Sequence, residues 1–150
     1  MDTLVEYLKQ HVPLTCHIDI QAGQQAEDWF ELSAPLTPNL NDKQTAFGGT
    51  LAALCTLSGW CAVSSLCRDH QLEVDIAVLE SHIRYRLPVT SDPITARAKL
   101  PDHETQSLFL KKLSERGAAR LEIQAQISAG EKAAVCFSGT YHARLLDQAT

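Results

Sequence analysis

Apolar and polar residues alternate along most of the second half of the chain. The pattern is clearest in residues 119–129, where every odd-numbered residue is apolar and every even-numbered residue is polar. Successive side chains of a β-strand point to opposite faces, so this pattern predicts a strand with one buried face. Comparable patterns predict strands at residues 79–87, 94–100 and 133–145, and two shorter strands earlier, at 16–20 and 29–34.

Residues 79–87 alternate in the same way, and the pattern assigns each side chain to a face. Four residues fall on the predicted buried face: Leu79, Ile83, Tyr85 and Leu87. Their neighbours fall on the predicted solvent face: Glu80, His82, Arg84 and Arg86. Strands with one buried face are typical of antiparallel sheets.

The segment 44–67 carries no charged residue and has a different period. From Leu51 onward one bulky residue is followed by two small ones, and a three-residue step advances about 300° around a helix. The bulky residues therefore wind around the whole helix, which predicts contacts on every side. A bilayer-spanning helix is the alternative, but small residues dominate the segment and strands surround it. We interpret residues 47–68 as a buried central helix and expect no membrane span.

The first residues predict a short amphipathic helix that ends at Val12-Pro13, because Leu4, Val5 and Leu8 recur at helical spacing. The same residues lack the basic start and apolar core of a signal peptide, so a cytoplasmic location is expected. The polar segment 101–114 is compatible with a loop or with a short helix.

These elements predict an α+β fold in one domain, residues 1–150. About six antiparallel strands would form a curved sheet wrapped around the central helix. One sheet cannot enclose a helix fully, and its edge strands leave backbone groups unpaired. A homodimer or a dimer of dimers is therefore expected.

Composition restricts the function. The net charge of −5 argues against a sequence-independent nucleic-acid binder, which needs a basic surface. The five cysteines are an odd number without a C-x-x-C pair, so they are interpreted as small buried hydrophobic residues. Neither a metal ion nor a redox cofactor is expected.

The start of the central helix carries the strongest chemical signal. Gly48-Gly49 at this position leaves N–H groups unpaired and permits close approach of another group. Such donors, at the positive end of the helix dipole, can stabilise the oxyanion that develops on a thioester carbonyl. The alternative is that the glycines only admit a tight turn or a crossing strand.

Two motifs resemble a known family. The first is Asn41-x5-Phe47-Gly48-Gly49 followed by Gly59-Trp60, and the second is Ile83-x-Tyr85-x-x-Pro88. Hotdog-fold thioesterases open their long helix with a similar His-Gly-Gly motif, in which Phe47 here replaces the His. The closest resemblance is to the thioesterase-like domain that is also found C-terminal to GNAT acetyltransferases, and it covers nearly the whole chain.

The resemblance implies hydrolysis of an acyl-CoA or acyl-carrier-protein thioester at a site shared between two subunits. It places the thioester carbonyl at Gly49, next to three residues that would contact the substrate: Phe47, Gly48 and Thr50. Asn41 and Thr56 would orient the attacking water. Many relatives carry a carboxylate seven residues after the second glycine, where this chain has Thr56, so Asp42 is the reserve candidate for the base.

Two other functions remain open, and so does the role of several basic residues. A dehydratase of the same fold would need a His and a carboxylate that the helix does not offer. A non-catalytic acyl-CoA or lipid-binding module would explain both missing groups. The basic residues after the helix, among them Arg84, Arg97 and Lys99, are either solvated charges on strand faces or contacts to coenzyme A phosphates.

Overall fold

The structure, a computed structural model, describes residues 2–147. Four α-helices and six strands follow one another in the order α1 (Asp2–His11), α2 (Leu14–Ile18), β1 (Gln21–Ala26), β2 (Trp29–Ala34), α3 (Gly48–Asp69), β3 (Val74–Tyr85), β4 (Ile94–Lys99), α4 (His103–Arg116), β5 (Ala118–Ala129) and β6 (Lys132–Leu145). A short 3₁₀ helix, Thr37–Asn39, precedes α3.

The six strands form one antiparallel sheet in the order β1-β2-β4-β5-β6-β3. The predicted alternation is confirmed in β4, β5 and β6, where every second side chain is buried against α3. The predicted α+β architecture, a curved sheet around one long helix with a short helix before it, is therefore correct. The edge strands are β1 and β3.

Helix α3 is the core of the fold. By length and composition it could cross a membrane, with a mean hydropathy of 1.5 over its most apolar 18 residues. However, 67% of that window is buried within the protein, as in the core helix of a globular fold. The sheet leaves one side of α3 open. Six residues at helical spacing form this half-exposed stripe: Gly49, Ala52, Ala53, Thr56, Leu57 and Trp60.

The closest contact between helix and sheet joins β6 to the middle of α3. Tyr141 is fully buried, and its hydroxyl donates a hydrogen bond of 2.6 Å to the carbonyl oxygen of Thr56. Its ring crosses α3 at Gly59, where a Cβ would lie 2.6 Å from the ring carbon Cζ and closer still to the hydroxyl. A residue without a side chain is therefore required at position 59.

Asn39 anchors the beginning of α3. Its buried amide donates to the carbonyl oxygens of Ile18 at 2.9 Å and Pro35 at 2.8 Å. Its side-chain oxygen accepts a hydrogen bond of 3.1 Å from the Thr50 hydroxyl, and its main-chain oxygen accepts one of 2.8 Å from the Phe47 N–H. One side chain thus joins α2, the 3₁₀ helix and α3.

Two sequence-based assignments need correction. The strand predicted at 16–20 is wrong, because residues 14–18 form helix α2 and the strand begins at Gln21. Thr15 and Ile18 are the buried residues of α2, and their spacing of three is helical. A segment this short fits either period. The segment 101–114, left open between loop and helix, forms the 14-residue helix α4.

The assignment of faces in β3 is also partly wrong. The strand is longer than predicted, and its pairing with β6 shifts between Val78 and Glu80. An irregularity of this kind changes which face the following residues occupy. Leu79 and Tyr85 are 49% and 53% exposed, whereas Ile83 packs against the core. Only Leu79, which lies at the shift, departs from the predicted face. Tyr85 lies on the α3 side of the sheet with Ile83, as predicted, and is exposed because β3 is an edge strand.

Gly59→Ala is expected to destabilise the protein. Alanine favours a helix by about 1 kcal/mol, but overpacking against Tyr141 costs about 1–3 kcal/mol, and displacing the tyrosine also breaks its buried hydrogen bond. Urea unfolding should show a net loss of about 1–3 kcal/mol. Gly48→Ala in the same helix is the control, because its Cβ would meet Tyr85 at an ordinary 3.6 Å. Equal stability of the two variants would contradict the close contact.

Asn39→Ala is expected to lower the free energy of unfolding by about 2–4 kcal/mol, because two carbonyls and one hydroxyl lose their buried partner. Thr50→Val removes one of these hydrogen bonds and should cost about 1 kcal/mol. Both variants should be measured at one protein concentration with an unchanged slope against urea. A loss for Asn39→Ala no larger than for Thr50→Val would refute its anchoring role.

Candidate active site

The loop before α3 is a closed turn. Leu40 and Ala46 form an isolated antiparallel bridge, and the Asn41 N–H donates to the Thr45 carbonyl at 2.8 Å. Gln44 has a φ of 62°, a left-handed conformation that a turn requires. The Ala46 N–H donates to the Val89 carbonyl at 2.8 Å, which ties the loop to the segment after β3.

The Asn41 side chain lies inside this loop. Its oxygen accepts the N–H groups of Lys43 at 2.8 Å and Thr45 at 3.1 Å. Its nitrogen donates to the Thr45 hydroxyl at 2.8 Å and to the Ala46 carbonyl at 3.4 Å. Both donors of the amide are therefore used, and Asn41 has none left for the substrate carbonyl. In this conformation it positions the loop rather than contacting the reacting atoms.

The N-terminus of α3 offers unpaired donors. The first hydrogen bond of the helix runs from the Leu51 N–H to the Phe47 carbonyl at 3.0 Å, so the N–H groups of residues 48–50 precede it and have no partner within the helix. Phe47 is the capping residue and its side chain makes no capping hydrogen bond. Gly49 is an exposed residue, and its N–H is one of these donors.

Two aromatic rings flank these donors. The Phe47 ring lies over Gly49 so closely that a Cβ there would collide with it, and Phe47 is itself 55% exposed. On the other side the Tyr85 hydroxyl donates to the Gly48 carbonyl at 3.3 Å. The donors thus lie in an apolar surround that is open to solvent. Tyr85 was assigned to the buried core by its alternation, and its contact with the helix start could be found only from the fold.

Thr50 does not line this opening. It is 6% exposed, and its hydroxyl is bound to Asn39. Its predicted contact with the substrate is therefore corrected to a structural role through the side chain. Asn39 could not be singled out from the sequence, because a single Asn after a proline is equally typical of a surface turn.

Thr56 and Asp42 occupy different surroundings. The Thr56 hydroxyl donates to the Ala52 carbonyl at 2.8 Å, which leaves its oxygen free to accept a hydrogen bond but gives it no proton to donate. Asp42 is solvated, with its side chain 83% exposed and its carboxylate 3.2 Å from the Lys43 ammonium. Both residues remain available to a water molecule, Thr56 as an acceptor and Asp42 as a base.

The three cysteines of α3 are buried, as predicted, but the prediction is wrong for Cys16, which is exposed, and Cys136 is only half-buried. Burial raises the pKa of the Cys55, Cys61 and Cys67 thiols to about 12, because the thiolate would be desolvated. These thiols are therefore protonated near neutral pH and are poor nucleophiles. Burial also raises the pKa of Tyr141 well above its usual range, so its hydroxyl keeps the proton that it donates to Thr56.

One group of possible metal ligands lies elsewhere, where the β1–β2 turn meets α4. Ligand atoms of Glu27, Asp28 and His103 lie within 4.8 Å of one another. The Nε2 atom of His103 is 3.8 Å from Oδ1 of Asp28, and the two side chains are 70% and 49% exposed. Both side chains are partly exposed, but Oδ1 of Asp28 is itself buried and has no hydrogen-bond partner among the described residues.

The arrangement at the start of α3 suits a polarised carbonyl. Unpaired N–H groups and the helix dipole favour negative charge, and the adjacent rings exclude water from one side. The half-exposed stripe of α3 begins at Gly49 and offers small and apolar side chains to a chain attached to that carbonyl. Three of the predicted site residues, Phe47, Gly48 and Gly49, lie at this helix start.

Comparison with known proteins agrees with this geometry. Residues 1–145 match the family described as "Putative thioesterase (yiiD_Cterm)". Solved structures of similar fold include a Chlorobaculum tepidum protein of unknown function, with 28% identity over 95% of this chain and 93% of that one and a TM-score of 0.89. A "putative thioesterase" from Shewanella oneidensis has 28% identity over 96% and 99% of the two chains, with a TM-score of 0.82.

A more distant structure shares the fold alone. The thioesterase from Haemophilus influenzae has 23% identity over 97% of this chain and 94% of that one, with a TM-score of 0.67. The family match spans nearly the whole chain, including the loop before α3, the helix and all six strands. The chain therefore belongs to the family described as "Putative thioesterase (yiiD_Cterm)", and its fold is that of the hotdog thioesterases.

Proposed function

We propose that this protein hydrolyses an acyl-CoA, or an acyl-carrier-protein thioester, to a free acid and a thiol. The observation that carries the proposal is the start of α3, where the exposed residue Gly49, whose N–H has no partner within the helix, lies beside the Phe47 ring. A thioester carbonyl over this N–H would receive a hydrogen bond that strengthens as negative charge develops on its oxygen. Membership of a thioesterase family supports thioester hydrolysis in general.

The acyl chain would extend from this point along the half-exposed stripe of α3. Ala52 and Ala53 leave room next to the helix, and Leu57 and Trp60 offer apolar surface further along. The attacking water would donate a hydrogen bond to the Thr56 oxygen. Asp42 is the base that we assign to take the proton of this water, since it is the carboxylate of the loop before α3.

We further propose that a second copy of the chain completes the site, as a homodimer or a dimer of dimers. Strand β3 is an edge strand that pairs with β6 on one side, and its exposed residues include Val78 and Leu79. An exposed apolar edge beside an uncovered helix favours pairing with another chain. Residues from the partner would then close the open side of the stripe.

A non-catalytic acyl-CoA or lipid-binding module is the second candidate. It is favoured by the fact that both donors of the Asn41 amide are used within the loop and that Asp42 is solvated. Such a module would bind the thioester at α3 without releasing thiol. Measurement of turnover and of binding on the same preparation separates the two candidates.

Thiol release from short, long and aromatic acyl-CoAs is expected, with one class preferred by about tenfold or more because the stripe accepts a limited range of shapes. A thiol-reactive dye detects the product. The blank contains protein alone, since Cys16 is exposed and will react with the dye. Absence of release, with CoA esters still raising the melting temperature, would instead establish the binding module.

Asp42→Asn is expected to lower kcat/KM about a hundredfold, because an amide cannot accept the proton of the water. The melting temperature should not change, since the side chain is solvated. The matched control is Asp75→Asn in β3, whose carboxylate is 62% exposed and pairs with Arg144. Full activity of Asp42→Asn would show that another residue acts as the base.

Asn41→Ala should instead lower activity and melting temperature together, because it opens the loop.

A further inference from the structure

A recess of about 500 Å³ lies on the face of the sheet that points away from α3. The register of β4, β5, β6 and β3 places two rows of side chains across it. One row runs through Arg97, Gln126, Cys136 and Arg84. The other runs through Lys99, Gln124, Ser138 and His82. We call this feature the outer recess.

The shape of the outer recess follows from the lengths of these side chains. Strand β6 contributes the short side chains of Cys136 and Ser138, which form the floor. Long side chains rise on both sides, from β4 at one wall and from β3 at the other. The two outer strands are three strand spacings apart, about 14 Å, so their side chains can converge on one ligand.

The charge of the outer recess is opposite to that of the whole chain. The net charge of the chain is −5, yet none of the described residues that line the recess is an Asp or Glu. Within residues 2–147, no carboxylate oxygen lies within 4.0 Å of the Arg84 or Lys99 charge. Both therefore carry positive charge that the protein does not neutralise by contact.

Other charges border the recess. Arg97 is held by Glu31, with its Nη2 atom 3.2 Å from Oε2, and its guanidinium lies 3.8 Å above the Trp29 ring. The next row of the sheet carries Glu80 and Glu122 on either side of Thr140. Arg97 is thus a fixed cation at one wall, and the two glutamates limit the positive region to the two rows of the recess.

A neighbouring depression extends the outer recess toward the segment after β3. A second depression of about 430 Å³ shares Arg97 and Gln126 with it and extends to Ser91 and Pro93. The segment that holds these two residues includes Val89, whose carbonyl is bound by the Ala46 N–H beside the start of α3. An extended ligand could follow this surface from the recess to Gly49 around the end of the sheet.

We propose that the outer recess binds the phosphate-bearing nucleotide of coenzyme A, an inference that rests on the proposed thioester hydrolysis. Its volume is in the range of small-molecule sites, about 300–1,000 Å³, whereas a protein partner needs an extended contact surface. Arg and Lys donate strong charge-assisted hydrogen bonds to phosphate oxygens, and the glutamine amides between them can bind ribose or base. A nucleotide site in the recess would favour a substrate whose acyl group is carried by coenzyme A over one carried by an acyl-carrier protein.

The test is binding of adenosine 3′,5′-bisphosphate, followed by calorimetry, to the unmodified protein and to the double variant Arg84→Gln/Lys99→Gln. We expect saturable binding that weakens with salt and falls about tenfold or more in the double variant, because two cations are lost. The matched control is Arg120→Gln. It removes one positive charge from the same face, about 13 Å along β5 from Gln124, and should change the affinity less than twofold.

Kinetics extend the test to the substrate. In the double variant the KM for an acyl-CoA should rise about tenfold or more while kcat is retained, because the nucleotide does not take part in the reaction. Hydrolysis of an acyl-N-acetylcysteamine thioester by the unmodified protein tests the proposed function separately, since this substrate has no phosphate. Hydrolysis of this substrate without nucleotide binding would overturn the inference and leave the proposed function standing.

Two further results would overturn the inference. The double variant removes two positive charges and Arg120→Gln removes one. A loss of binding free energy in Arg120→Gln half as large as in the double variant, or larger, would therefore indicate attraction by overall charge rather than a built site. A change in oligomeric state of the double variant, measured by sedimentation, would identify the outer recess as a contact between copies of this chain.

Discussion

Tyr141 crosses α3 at the one position in the middle of the helix that lacks a Cβ, and this contact sets how closely helix and sheet approach. The buried hydroxyl binds the Thr56 carbonyl, so the tyrosine fixes the rotation of α3 as well as its distance. Small residues elsewhere on the helix let β4, β5 and β6 pack at similar depth. The orientation of the half-exposed stripe, and with it the direction in which Gly49 and Thr56 face, depends on this contact.

The beginning of α3 is held by a separate set of bonds. Asn39 joins it to α2 and to the 3₁₀ helix, while the Asn41 loop is closed on itself and bound to Val89. These hydrogen bonds hold the helix start on both sides. Its N–H groups therefore stay in place although no side chain caps them. A preformed set of donors of this kind needs no reorganisation when charge develops on a bound carbonyl.

Much of the fold could be predicted from residue patterns because long segments repeat one period many times. The alternation in 119–129 indicates a strand, and the uncharged segment around Leu54 indicates a helix, whether its surroundings are protein or lipid. Short segments do not: residues 14–18 complete little more than one helical turn, so the spacing of Thr15 and Ile18 could not exclude a strand. The irregularity after Val78 was also invisible, since it depends on pairing with β6.

The residues of the candidate site could also be predicted only in part. Gly48 and Gly49 are recognisable because their missing side chains have a local meaning at a helix start. The partners of Asn39, Asn41 and Thr56 are set by hydrogen bonds within the folded chain, which the residue types alone do not specify. Asn41 in particular looks like a residue for binding substrate until the four hydrogen bonds of its side chain within the loop are known.

The order of the sheet also has a consequence during synthesis. Strand β6 lies between β5 and β3, and β3 pairs with β6 alone among the described strands. A ribosome must therefore release residues 132–145 before β3 finds its partner, although β3 itself was made more than forty residues earlier. Until then β3 has no partner strand, and the side of α3 that β6 covers is exposed. During this interval the nascent chain is prone to aggregate and is open to binding by chaperones.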